Sequence, residues 1–597
     1  MPSYQVPLRE FRFILHEVLE LERFSNLQGF ADTPADVMDQ ILEEGAKLAQ
    51  NVLAPLNQVG DREGCTRHAD GSVTTPKGFK EAYKQVVEGG WPSLSSDPEF
   101  GGQGLPHILN LAFNEMVSSA NMAFGMYPGL SHGAYSALLH HGTDAQKAKY
   151  LPKLVSGEWT GTMNLTEPHC GTDLGLLKSK AVPVGDGTYR ISGQKIFISA
   201  GEHDLADNII HLVLARIEGA VEGVKGISLF VVPKFHVNED GSLGARNGVS
   251  CGSIEHKMGI HGNSTCVLNY DDAIGTLVGV EHKGLNAMFV MMNEARLGVA
   301  LQGYSQSEAA YQNAVIYAKD RVQGRSLSGV KNPAGPADPI IVHPDIRRVL
   351  MEARAFNEAA RAFTYWTALC GDLMLRSPDG KVQEKSADYM ALMTPVLKAY
   401  LTDKGFANAV NCQQVYGGHG YVEEWGMSQF VRDARIAMIY EGANGIHALD
   451  LVGRKLGMNS GRPIQTFFAE LDEFVAENEG NEAIKPFVEG VRTAKQRLYD
   501  GTMWLFQNGL TNHDEAGAAS TDYLHLFALT AFAYMWGLMA KAAAAKMANG
   551  GAGDMFYDTK LKTGKFFLER ILPESAAHLA KVQAGGSSIM ALSADAF

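Results

Sequence analysis

With 597 residues, 45% of them hydrophobic and 20% charged, the chain exceeds the roughly 250–300 residues at which one hydrophobic core stops growing. It should therefore fold as several packed domains. A formal net charge of −14 excludes the Lys- and Arg-rich surfaces that sequence-independent nucleic-acid binding or a polybasic membrane anchor requires.

The opening MPSYQVPLREFRFILHEVLELERF carries charges every few residues and has no continuous apolar run. It reads as neither a secretory signal nor a transit peptide, and residues 1–34 are taken as an N-terminal extension. Residues 35–158 are helical: MDQILEEGAKLAQNVLAPLNQ and FKEAYKQVVEGGW repeat apolar residues at i, i+3, i+4 and i+7. Between 159 and 281 short β-rich runs such as NIIHLVLARI and GISLFVV alternate with turn signals. A middle antiparallel β-domain is expected there, and no G-x-G-x-x-G supports a Rossmann unit. Residues 282–457 form long helical segments suited to a bundle, and 458–597 an additional helical domain. The class is α+β. Leu526–Ala540 is the most apolar stretch. It falls short of the ~18 residues that span a bilayer, so a buried helix is expected and no stable membrane insertion. Six scattered cysteines without a C-x-x-C pair suggest no disulfide framework, no metal site and a reducing, cytoplasmic setting.

Five stretches hold residues of chemical interest. In MNLTEPHCGTD, Thr166 offers a hydroxyl for the edge of a flavin or nucleobase, and Gly171 and Thr172 lie in a tight turn. Read alone, an ordinary polar turn is the favoured explanation. In KIFISAG, alternation puts Phe197 and Ser199 on one strand face, to cover and hydrogen-bond a flat heterocycle or to pack a core. Asn293 and Arg296 share a helix face, suited to a phosphorylated ligand or to solvent. In QVYGGHG the glycines cap a helix or admit a ligand to the backbone. In RIAMIYEGANG, Glu441 leaves an apolar run at a glycine-rich turn. Partial desolvation there would raise its pKa, as carbon-acid chemistry requires, unless it merely caps the next helix.

In this order the stretches resemble the acyl-CoA dehydrogenase family across about residues 35–457. LTEPHCGTD resembles L-T-E-P-x-x-G-S-D, and KIFISAG resembles K-x-W-I-T-N with Phe197 for tryptophan. KMGIHGNSTCVLNY carries His261 where the family has arginine, QVYGGHGY resembles Q-x-x-G-G-x-G-Y, and RDARIAMIYEGANGI carries Ala443 for threonine.

The resemblance implies Glu441 as the base and FAD as cofactor. Met163, Leu165, Thr166, Phe197 and Ser199 would contact the flavin; Arg321, Gln414, Gly417 and Gly418 would reach the FAD of the neighbouring subunit. Asn444 would compensate for Ala443, and Gly171, Thr172, Asn293 and Arg296 would line the CoA channel. Some relatives place the base at the position of Ala295, which alanine excludes; Glu294 is about 100° around the helix and should point elsewhere.

Also implied are an electron-transferring flavoprotein as acceptor and, from the long bacterial layout, a homodimer. The substrate expected from that layout is 3-methylmercaptopropionyl-CoA of dimethylsulfoniopropionate breakdown. A straight-chain fatty acyl-CoA is the second reading, and an acyl-CoA oxidase or a non-catalytic flavin-binding relative are the alternatives of another type.

Overall fold

The computed structural model describes residues 2–551 and 553–597, which form two compact bodies. Ile41–Gly298 make up one; residues 2–40 and Val299–Phe597 make up the other.

The first body joins the N-terminal helices to the β-domain. Its main helices are α1 (His107–His141) and α2 (Asp144–Ser156), the latter started by a Thr143/Gln146 capping box. Seven strands then form the main sheet: β1 (Trp159–Asn164), β2 (Lys180–Pro183), β3 (Thr188–Ser199), β4 (Asn208–Ile217), β5 (Ile227–Pro233), β6 (Val249–Ile254) and β7 (Thr265–Val278). Their order is β6–β7–β3–β2–β4–β1, and β5 pairs with both β7 and β4, which closes five strands into a ring.

The sheet is not wholly antiparallel, as alternation and turn signals suggested. β1 and β2 each run parallel to β4. Strands brought together across intervening elements need no hairpin, so local turn chemistry could not report their direction. In β4 alternate residues feed two cores: Ile210, Leu212 and Leu214 face α1 and α2, whereas Val213 and Ala215 face the ring interior with Phe230 and Leu268. Burial on both faces explains its near-continuous apolar run, interrupted at the buried His211. A short hairpin of Thr66–Arg67 and Val73–Thr74, unmarked in the helical pattern, adds Val73 to the inner core.

The second body holds α3 (Gly284–Asp320, from Val299 onward), α4 (Pro344–Arg376), α5 (Gly380–Val415), α6 (Met427–Ile436) and α7 (Asn444–Asp450). The additional domain contributes α8 (Arg462–Glu477), α9 (Lys485–Asn508), α10 (His513–Lys546), α11 (Met555–Phe566) and α12 (Glu574–Ala584). α3 and α5 cross in backbone contact: a Cβ on Gly405 would lie 2.1 Å from the Gly303 carbonyl oxygen, so only glycine permits the approach.

The apolar stretch Leu526–Ala540 lies within the 34-residue α10, which by length and composition could cross a bilayer, contrary to the shorter reading. Its apolar window is 83% buried among other helices, with Phe527, Phe532 and Trp536 sealed in the core.

The N-terminal extension packs into this second body. The side-chain amides of Asn313 and Gln312 each bond both backbone groups of a partner residue, Ser3 and Gln5, at 2.8–3.0 Å. Lys560 of α11, wholly buried, is neutralised by Glu10 and by Glu358 of α4. An unpaired ammonium there would be costly.

Candidate active site

In the first body, LTEPHCGTD and KIFISAG lie side by side. Lys195 Nζ donates to Leu165 O at 3.0 Å and to Glu167 Oε1 at 2.8 Å, and Ile196 N donates to Thr166 O at 2.9 Å. Glu167 also accepts from Ser179 Oγ, Ser179 N and Lys178 N. Burial opposes its ionisation, but Lys195 and these donors hold the carboxyl below its ordinary value. Glu167, His169 and Cys170 bring three ligand-type atoms within 4.8 Å, yet Lys195 already supplies the cation that this carboxylate requires.

Regular alternation, which groups Phe197 with Ser199, is interrupted. Cys266 pairs with Ile198 but Leu268 with Lys195, a bulge, and Phe197 adopts φ 59°. A bulge re-aims side chains: the Phe197 ring is 60% exposed while Ile198 enters the core. Met163 is partly buried against the outer core, and Gly171 faces Thr166, whose Cγ2 would lie 3.4 Å from an added Cβ. Thr172 is exposed in the same turn.

On α3, Arg296 donates to Asn293 Oδ1 at 3.3 Å, so the expected pair forms. Glu294 points toward Ser136 and His132 of α1. One of its oxygens is sealed from solvent without a donor, and desolvation pushes the carboxyl up to about 8.

His261 is held as a cation. Nδ1 meets Asp61 O at 2.8 Å and Asp61 Oδ1 at 3.1 Å, and Nε2 meets Lys257 O at 2.7 Å. Both ring nitrogens thus face acceptors, which only an imidazolium can satisfy. The bond to Asp61 raises the pKa to about 9, so histidine supplies positive charge where an arginine was expected.

In the second body, Gln414, Gly417 and Gly418 end α5 at the surface, as does Arg321 after α3. An added Cβ on Gly417 or Gly418 would meet nothing within 4 Å, and Gly417 has φ 55°. On either side of these glycines in sequence, Tyr416 stacks on Tyr317 at 4.1 Å and His419 on Trp425 at 4.4 Å.

Glu441 follows α6 at φ 56°, a strained value for a residue with a Cβ. Its carbonyl accepts from His447 Nε2 at 3.1 Å. Gly442 has φ 93°, and a Cβ there would lie 3.1 Å from His447. The wholly buried Lys398 of α5 donates to Gly442 O at 2.7 Å and to Asn444 Oδ1 at 2.8 Å. Asn444 Nδ2 points at Ala399 O, Thr402 Oγ1 and Asp403 Oδ1, and its backbone N–H bonds Met438 O. The Asn444 side chain is therefore committed to α5. Nor does Glu441 cap α7: the N-cap position is Ala443, and no side chain caps there. Lys398 and Asp403 escaped the motif reading, although a lone lysine inside the apolar TPVLKAYL was a usable signal.

Four sequence profiles tile the chain: "Acyl-CoA dehydrogenase, N-terminal domain" over 38–158, "middle domain" over 162–273, "C-terminal domain" over 282–457, and "Acetyl-CoA dehydrogenase C-terminal like" over 467–593. The 3-methylmercaptopropionyl-CoA dehydrogenase of Ruegeria pomeroyi is 41% identical over 99% of this chain and 100% of its own length. A butyryl-CoA dehydrogenase of Syntrophomonas wolfei is 33% identical over 100% of this chain and 99% of its own. An acyl-CoA dehydrogenase complexed with FAD from Bacillus anthracis shares the fold, with a TM-score of 0.74 at 23% identity over 92% of this chain and 89% of that one. The chain belongs to the acyl-CoA dehydrogenase family, oxidoreductases acting on acyl-CoA thioesters.

Proposed function

We propose that this protein removes the α- and β-hydrogens of a short acyl-CoA, 3-methylmercaptopropionyl-CoA above all, to give the trans-2-enoyl-CoA, with Glu441 as base. The anchored Glu441 turn carries the reading: the backbone that presents this carboxylate has a strained φ and is held by Lys398 at the Gly442 carbonyl and by His447 at the Glu441 carbonyl.

The residues fit FAD. Phe197 offers an exposed ring at the bulge beside Thr166, and Gly417 and Gly418 leave open the space a Cβ would fill. Met163, Leu165, Thr166, Phe197 and Ser199 would hold the isoalloxazine, while Arg321, Gln414, Gly417 and Gly418 would hold the diphosphate and adenosine of a partner copy's cofactor. Bound FAD supplies the acceptor for the β-hydrogen as hydride. Glu441 takes the α-proton on its carboxylate, and its backbone N–H donates to the thioester oxygen as enolate charge develops. Asn293, Arg296, Gly171 and Thr172 bind the CoA arm. Electrons leave to an electron-transferring flavoprotein, and the working assembly is a homodimer in the cytoplasm.

The second reading is straight-chain acyl-CoA dehydrogenation, favoured by the full-length likeness to a butyryl-CoA dehydrogenase. Purified holoenzyme assayed with a dye acceptor separates the two: kcat/KM should be higher for 3-methylmercaptopropionyl-CoA than for butyryl-CoA or palmitoyl-CoA, and the reverse order rejects the first substrate. Glu441→Gln should keep FAD while turnover falls by several orders of magnitude, and activity above a tenth of wild type would assign the proton to another group. Light scattering tests the dimer.

A further inference from the structure

The bonds that fix the Glu441 turn do not end in α5. Asn444 Nδ2 donates to Asp403 Oδ1 at 2.7 Å, and the other Asp403 oxygen meets His525 Nε2 of α10 at 3.1 Å. A carboxylate only accepts, so Nε2 carries the proton of that bond. His525 packs edge-on against Tyr400 and against His578 of α12, both at 5.2 Å, and His578 Nδ1 lies 2.7 Å from Asp522. The Asp403 and His525 side chains are 21% and 15% exposed, so water cannot freely replace either partner. A continuous set of polar contacts therefore joins the additional C-terminal domain to the turn bearing Glu441. That turn needs holding, because a non-glycine residue in the left-handed region persists only where its surroundings over-determine it.

We infer that Asp403 and His525 are positioning residues for the dehydrogenation: they set the Glu441 turn through Asn444, and thereby make the additional C-terminal domain part of the catalytic apparatus. This rests on the reading of Glu441 as base. A second contact distinguishes positioning from simple docking. Lys404 and Glu574 also pair α5 with α12, at 2.9 Å, without touching the turn.

The test uses full-length holoenzyme carrying His525→Leu, His525→Gln or Glu574→Ala, with Glu441→Gln in parallel. His525→Leu should lower kcat by about two- to thirtyfold, the range of coupling carried by residues that touch no ligand, with KM little changed. His525→Gln retains a donor and should recover most of the loss, and Glu574→Ala should match wild type. Hydrogen exchange of the 438–445 backbone should quicken in His525→Leu and not in Glu574→Ala, a readout independent of turnover. Unchanged kcat and exchange in His525→Leu would overturn the inference, as would an equal loss in Glu574→Ala. If His525→Leu does not fold, Asp403→Asn carries the same comparison, since it keeps an acceptor for Asn444 while removing the charge that faces His525. Retained activity in Glu441→Gln would reject the base itself, and the exchange data would still decide whether His525 holds the turn.

Discussion

Phe197 and Glu441 both occupy the left-handed region, yet their segments are built in opposite ways. The Phe197 strand end is held by its neighbours in the same β-domain: Lys195, Glu167 and Thr166 tie two motifs together, and the ring projects outward from a bulge. The Glu441 turn is held from a distance. Its bonds run to Lys398 and Asp403 on α5, and through Asp403 to His525 on α10. A displayed aromatic surface tolerates local construction because contact over a broad face is forgiving. A base that must meet one proton needs its carboxylate fixed within a fraction of an ångström, and several elements share that task.

The comparison can be broken at its strongest points. Lys195→Met leaves Glu167 buried beside hydroxyl and amide donors, with His169 Nε2 3.6 Å away. The β-domain should lose about 3–5 kcal/mol, read as a lower midpoint in denaturant unfolding, because stranding one partner of a buried pair is costly. Lys398→Met matches the stem length but strips Gly442 O and Asn444 Oδ1 of their charged donor. Losing bonds of about 1.5–3 kcal/mol should lower kcat roughly ten- to hundredfold with FAD retained. An unchanged kcat would show that the turn stands on its own.

Phe197→Ala should act more gently, weakening FAD retention by about two- to tenfold, the worth of one aromatic contact beyond its area; fluorescence titration of apoprotein with FAD measures it. An effect larger than that of Lys398→Met on turnover would invert the comparison.

The smallest effect concerns His261. Its folded pKa of about 9 exceeds the ordinary histidine value of about 6.5. The imidazolium therefore stabilises the fold fully below about pH 6.5, and that contribution is lost as pH rises to about 9. His261→Arg keeps the charge. Its melting temperature should match wild type at pH 6 and exceed it by roughly 1–2 °C at pH 9.5. A constant difference across that range would mean that the bond to Asp61 does not depend on histidine's charge.

The sequence by itself determined much of this molecule. Domain boundaries near 158, 281 and 457 are read from changes of period, because helical and extended segments repeat apolar residues differently, whereas the compact bodies divide at 40/41 and within α3 at 298/299. The approach of LTEPHCGTD to KIFISAG was implied by their joint resemblance to one family. Tertiary structure decided what periodicity cannot carry. The two parallel pairings of β4 depend on strands far apart in sequence. The bulge at Phe197 shifts register by one residue, and a second shift between Tyr270 and Ala273 follows on the same pair of strands. Asn444 turned inward because Lys398 and Asp403 lie across from it, residues about forty positions earlier whose alignment is set by helix packing. His525 acquired its place beside Asp403 in the same way. Local pattern fixes which face of an element is apolar, whereas long-range packing fixes which polar groups meet.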